Sequence, residues 1–164
     1  GGGGTASQRY FEEGKETKTP DGSLTHQTLE TALQGVPNWW NARLFQFVGK
    51  ADRMPFDAHT MKALIAPRAL VNPHGRQDYW ANPYGTELTY RAADKVFGFL
   101  GAEGQQGIHW RDGGHAQGDE DYAALLDFVD WKFFGKKPGR SFSTLQYPDA
   151  ELPIHWDTPT ARER

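Results

Sequence analysis

The sequence predicts an α/β class with a mostly parallel sheet. Three observations carry this: short apolar runs suited to buried strands, longer amphipathic stretches suited to crossover helices, and the alternation of the two along the chain. The order reads helix, strand, acid-bearing loop, helix, strand, histidine-bearing loop, helix, which is how parallel strands joined by crossovers are laid down. The length agrees, because 164 residues with 6 Trp, 6 Tyr and 10 Phe can fill the core of one domain or of a large piece of one.

Residues Gly1 to Ser23 read as loop, closed by the turn signal Thr19-Pro20-Asp21-Gly22, where Pro presets φ and Gly supplies the turn's unusual backbone. Leu24 to Leu33 is a short helix candidate. Pro37-Asn38-Trp39-Trp40 opens another, with Trp40, Leu44, Phe47 and Val48 on one face and Gly49 at its end. Asp57 is placed to cap a short helix whose apolar face is Met61, Leu64 and Ile65, stopped by Pro67. Ala69-Leu70-Val71 suits a buried strand, and Asn72 to Pro83, dense in Pro, Gly, Asn and Asp, reads as a loop. Thr86 to Leu100 follows as a helix turning Leu88, Ala92, Val96, Phe99 and Leu100 inward, stopped at Gly101. Gly107-Ile108-His109-Trp110 suits a second strand, Arg111 to Gly118 a loop, and Asp119 to Phe134 a last helix with Tyr122, Leu125, Leu126, Val129 and Phe133 facing in. Two strands make a poor sheet, so further strands are expected upstream. The expected division is one domain portion over 1–135 and an extended tail over 136–164.

Composition narrows the function classes. A net charge of -3 with no Lys/Arg cluster gives nucleic-acid binding no electrostatic source. No apolar run approaches the roughly 20 residues a membrane span needs, so neither nucleic acid nor membrane is an expected partner. The absence of Cys excludes disulfides and thiolate metal sites and leaves the compartment open. The start GGGGTASQRY has no signal-peptide order, yet it lacks an initiator Met and opens as though cut from something longer, so localisation is not readable from it. His59, on the short helix after Asp57, reads as a packed, hydrogen-bonded ring, and His26, His74, His109 and His155 show no ligand spacing, so no metal site is expected.

The chemistry-bearing residues lie in the two loops that leave the strands, where open α/β sheets place their ligands. The first holds Asp78 and the second His115, preceded by Gly113-Gly114. Acid then histidine is the second half of the Ser, acid, His order of α/β hydrolases. A serine hydroxyl needs an imidazole to take its proton, and the imidazole needs a carboxylate to fix its tautomer. The plainer alternatives are an Asx-turn for Asp78 and a helix-capping loop histidine for His115. Gly-x-Ser-x-Gly is absent, and Ser7, Ser23, Ser141 and Ser143 do not sit in strand-to-helix contexts, so the nucleophile is expected from elsewhere. Of the neighbours Trp39 and Trp40, one is expected to pack inward while the other faces out, as a sugar platform would.

Five blocks resemble one family. Pro37-Asn38-Trp39-Trp40, Arg53-Met54-Pro55-Phe56-Asp57-Ala58-His59, Lys62-Ala63-Leu64-Ile65-Ala66-Pro67-Arg68, Asp78-Tyr79-Trp80-Ala81-Asn82-Pro83 and Gly114-His115 resemble, in order, the C-terminal portion of the glucuronoyl esterases, carbohydrate esterase family 15. Gly1 to Gly4 looks like the glycine stretch after the family's nucleophile region, with a linker as the alternative. The resemblance implies the C-terminal part of an α/β-hydrolase three-layer sandwich whose N-terminal strands and nucleophile elbow lie outside the sequence. It implies a cofactor-free, monomeric, secreted or periplasmic serine esterase that cleaves esters between 4-O-methyl-glucuronic acid on xylan and an alcohol of lignin. His115 would be its base, and the acid would be Asp78, whose loop is similar to the Asp-x-Trp of bacterial members, or a carboxylate upstream. Trp39 matches the uronate-contacting position, and Trp80 is the second expected substrate contact. Other esters, such as acetyl xylan, a peptide substrate, and a carbohydrate-binding module built on Trp39, Trp40 and Trp80 are the alternatives.

Overall fold

The computed structural model describes residues 28–152 and 154–159. The loop expected over Gly1 to Ser23, its turn, and the first residues of the Leu24 to Leu33 helix lie outside the described residues. Among the described residues four α-helices, α1 (Leu29–Gly35), α2 (Ala58–Ala63), α3 (Pro83–Phe99) and α4 (Asp119–Phe134), accompany two strands, β1 (Leu70–Gly75) and β2 (Gln106–Arg111). The strands pair in parallel, from Leu70 opposite Gln106 to Gly75 opposite Arg111, and α3 is the crossover between them. Among the described residues no helix is long and apolar enough to cross a membrane.

Because strand side chains alternate between faces, the contacts of β2 locate its neighbours. Ile108 and Trp110 pack with Tyr90 of α3. On the opposite face a Cβ on Gly107 would stand 2.8 Å from the Phe128 ring of α4, and Arg111 reaches Asp121 of α4. The sheet is therefore the middle of three layers. After α4 the chain stays irregular but contributes to the core. Phe142 is buried with Ala124 and Phe128, their two rings meeting edge to face at 5.0 Å, and the Phe142 carbonyl accepts from Ile108 N at 2.8 Å. Glu87 of α3, 1% exposed, accepts the backbone N–H groups of Gln146 and Tyr147 at 2.6 and 2.9 Å, which latches this segment to the crossover helix.

Several sequence expectations are corrected. The helix expected to open at Pro37 is two 3-10 helices, Pro37–Trp39 and Ala42–Phe47, because the Asn41 side chain accepts from Arg43 N at 3.0 Å and restarts the chain there. Trp40, Leu44 and Phe47 still pack on Leu29, Leu33 and Met54. β1 runs four residues past Val71, to Gly75, so the turn-forming Asn72 and Pro73 are strand residues. α3 begins at Pro83 rather than Thr86, since Asn82, in the left-handed region at φ 49°, caps it by accepting from Gly85 N.

Two helices present the face opposite to the one expected. α2 starts after Asp57 as anticipated, its carboxylate accepting from Ala58 N at 2.7 Å, yet His59 and Lys62 are buried while Met61 and Leu64 are exposed. Lys62 lies under α3, its Nζ donating to Thr89 Oγ1 at 2.9 Å, and burial pulls its pKa down to about 7. α4 has the expected bounds but buries Asp121, Ala124 and Phe128, leaving Tyr122, Leu125, Leu126 and Phe133 exposed. The small Ala124 and the Phe128 ring, fitted against Gly107, let the helix close on the sheet, and Asp121 must meet Arg111. The more apolar stripe is thereby turned outward.

Candidate active site

The two loops at the carboxyl ends of the strands are joined by an extension of the strand pairing. Arg76 N donates to the Arg111 carbonyl at 2.8 Å, Gln77 N to the Gly113 carbonyl at 3.1 Å, and the Gln77 side-chain oxygen accepts from Gly113 N. Gly75 permits this approach: a Cβ there would stand 2.4 Å from the Gly113 carbonyl and 2.5 Å from that of Gly114. Gly113 adopts φ +100°, a conformation other residues rarely take.

This arrangement brings Asp78 and His115 together, with His115 Nδ1 3.0 Å from Asp78 Oδ2. The Asp78 side chain is 5% exposed and that of His115 66%, so a buried carboxylate holds a ring whose other edge is open to solvent. Asp78 precedes the 3-10 helix Tyr79–Ala81 without capping it through its side chain. The start of α4 is capped at Gly118, whose N–H donates to Asp121 rather than involving His115. Neither plainer alternative, the Asx-turn or the capping histidine, describes the pair. Trp80 meets the His115 ring edge to face, with centroids 5.5 Å apart and planes at 89°.

Below the pair lies His74, 2% exposed and stacked on Trp110 at 5.4 Å. Burial lowers its pKa to about 4, partly offset by the Asp78 carboxylate, with Lys62 and Arg111 adding to the lowering, so it is a neutral ring at ordinary pH. His59 stacks on Trp156, and His109 faces Glu120 at 3.4 Å, its pKa lowered by burial. His155 is exposed, while His26, Ser7 and Ser23 lie outside the described residues. Ser141 and Ser143 bond to each other in the irregular segment after α4, away from any strand-to-helix turn. Among the described residues no three metal-binding side chains cluster.

Of the two tryptophans singled out for substrate, only Trp80 touches the pair. Trp39 stands on the first 3-10 helix, 68% exposed, while Trp40 packs inward. A separate apolar hollow of about 510 Å³, lined by Trp40, Leu44, Phe47, Met54, Phe56 and Met61 among others, includes neither Asp78 nor His115. The acid and histidine, not the hollow, define the site. Sequence reasoning missed Gly75, Gln77, Arg111 and Asp121. Only Asp121 carried a signal, standing three residues after Gly118 as helix-start acids do.

Residues 1–101 match the family model described as glucuronyl esterase, fungi. The chain is 29% identical over 124 residues to carbohydrate esterase MZ0003 of an unknown prokaryotic organism, covering 66% of this chain and 29% of that protein. It is 26% identical to the 4-O-methyl-glucuronoyl methylesterase of Schizophyllum commune, covering 79% of this chain and 35% of that one. Among solved structures, a carbohydrate esterase family 15 glucuronoyl esterase from Caldicellulosiruptor kristjansonii superposes with a TM-score of 0.81 at 30% identity, over 94% of this chain and 40% of that one. The chain spans about a third or less of the length of the curated relatives it matches. The fold is thus a part of the α/β-hydrolase fold of these esterases.

Proposed function

The chain belongs to the glucuronyl esterase family, and on that premise we propose that it supplies the acid and base of a serine esterase acting on 4-O-methyl-glucuronate esters that join xylan to lignin. The observation that carries the reading is the 3.0 Å bond between His115 Nδ1 and Asp78 Oδ2. That bond keeps the proton on Nδ1 and leaves Nε2, at the solvent-exposed side of the ring, as the lone-pair nitrogen.

The nucleophilic serine is supplied by a part of the enzyme outside this sequence. His115 Nε2 takes the proton of that hydroxyl as it attacks the ester carbonyl, and returns it to the departing alcohol when the C–O bond breaks. A second cycle with water in place of the alcohol releases the free uronate. Asp78 stabilises the imidazolium formed in each half-reaction. Trp80, against the ring, and the exposed Trp39 contact the substrate. The outward apolar stripe of α4, the exposed Met61 of α2 and the exposed Leu64 just after it support a larger domain packed over them. The enzyme works outside the cytoplasm, secreted or periplasmic, where its polymeric substrate lies, and as a monomer.

The test uses the full-length protein and a benzyl glucuronate ester beside acetylated xylan. His115→Ala should lower kcat by about 10⁴-fold or more while the melting temperature holds, with the wild type preferring the glucuronate ester. Wild-type turnover in the variant overturns the assignment of the base, and preference for acetylated xylan overturns the substrate.

A further inference from the structure

The loop that carries His115 is folded around one guanidinium. Arg111, the last residue of β2, is 8% exposed. Its Nε donates to Asp121 Oδ2 at 2.6 Å, its Nη1 to the Asp112 carbonyl at 3.0 Å, and its Nη2 to the carbonyls of Gly114 and Ala116 at 3.0 and 2.5 Å. The last two carbonyls belong to the residues immediately before and after His115. A loop bent this tightly cannot satisfy its own carbonyls, and here one buried side chain donates to three of them. Asp121 balances the charge, and the same oxygen accepts from Gly118 N at 2.9 Å, which fixes the far end of the loop to the start of α4.

We infer that Arg111, with Asp121 as its counter-ion, is a positioning residue for the esterase reaction: it sets the backbone on both sides of His115 and so keeps the ring on Asp78. The inference rests on the reading of His115 as the base. It requires the planar fork of arginine, because the carboxylate lies off one edge of the guanidinium and the carbonyls off the others. The ammonium of lysine, a single point of donors, cannot span both. An ion pair with a merely structural role would lower stability when broken and leave the His115 to Asp78 bond intact in the molecules still folded.

The experiment compares Arg111→Lys and Arg111→Gln with Arg140→Lys in the full-length protein, well below the unfolding temperature. Arg140, beyond the end of α4, makes a partly exposed pair with Asp127 of α4, at 2.7 Å, outside the loop. Two quantities are read: kcat and KM on the glucuronate ester, and the hydrogen-bonded Nδ1 proton of His115 by NMR with ¹⁵N-histidine, assigned by its loss in His115→Ala. Arg111→Lys should lower kcat by about 100-fold, the scale of a misplacement near 1 Å, with KM nearly unchanged and the Nδ1 proton broadened away. Arg111→Gln should fall further, and Arg140→Lys should alter neither quantity.

A wild-type Nδ1 proton in folded Arg111→Lys overturns the proposal. If neither Arg111 variant folds, Asp121→Asn decides, since it removes only the counter-charge: weakening of the same proton supports positioning, and an unchanged resonance overturns it. The NMR signal needs no turnover. An enzyme inactive on every ester would therefore fail the esterase reading while the fate of the Nδ1 proton still decides the role of Arg111.

Discussion

Gly107 and Gly75 sit on paired strands, neither has room for a methyl group, and what fills the space differs. Beside Gly107 stand side chains, the Phe128 ring at 2.8 Å and Phe142 Cβ at 3.1 Å from a built Cβ; beside Gly75 stand the backbone carbonyls of Gly113 and Gly114, at 2.4 and 2.5 Å. One small sheet thus carries two constructions. Its amino end is an apolar cluster that a ring can adjust within, whereas its carboxyl end is a polar zipper in which the chain itself is the neighbour. Stability should be read mainly at the first and catalysis at the second.

Acid gives the largest expected effect and asks whether the layer between the two gives way before the site does. His74, next to Gly75 and stacked on Trp110, has its pKa lowered by burial from 6.5 to about 4. Between those values the unfolded chain holds a proton that the folded one refuses, so its contribution to stability is complete above pH 6.5 and is lost as pH falls toward 4. At about 1.4 kcal/mol per unit the loss is roughly 3 kcal/mol. Urea unfolding from pH 7 to pH 4 should show it, and His74→Phe should flatten the curve over that window; an equal slope in the variant assigns the loss elsewhere.

Gly75→Ala tests the carboxyl end. Its methyl meets backbone that can move only by parting the two loops, so kcat should drop by about 100-fold, with a smaller change in unfolding free energy. An active variant would mean that the zipper does not set the distance from Asp78 to His115. The smallest effect belongs to Gly107→Ala, where overpacking should cost about 1–2 kcal/mol in unfolding and leave kcat within a fewfold of wild type. Should it abolish activity instead, the two regions are one unit.

How far these features are legible in the sequence follows the same division. The acid and histidine can be read because topology alone puts loops from adjacent parallel strands side by side, and chain order supplies both residues. The end of α4 at Phe134 is marked by Gly135. The buried face of that helix was not legible: Leu125, Leu126 and Phe133 outweigh Ala124 and Phe128 in hydrophobicity, and periodicity says nothing of which stripe fits against a glycine in the sheet. β1 was cut short because Asn72 and Pro73 are turn formers in isolation, while here the Asn72 side chain bonds across to the Gly107 carbonyl at 3.1 Å. Arg111 was invisible for a simpler reason. An arginine closing a strand reads as a solvent-facing charge, and only the path of the following loop turns it into a hub.

The unequal exposure of the acid and the histidine governs timing. With Nδ1 tied to a buried carboxylate and the ring edge against Trp80, the imidazole has one orientation left, and it is selected when the chain folds. For the proposed reaction this means a base with no rotamer search left to make, the entropy of aligning it being spent in folding, before any ester could bind.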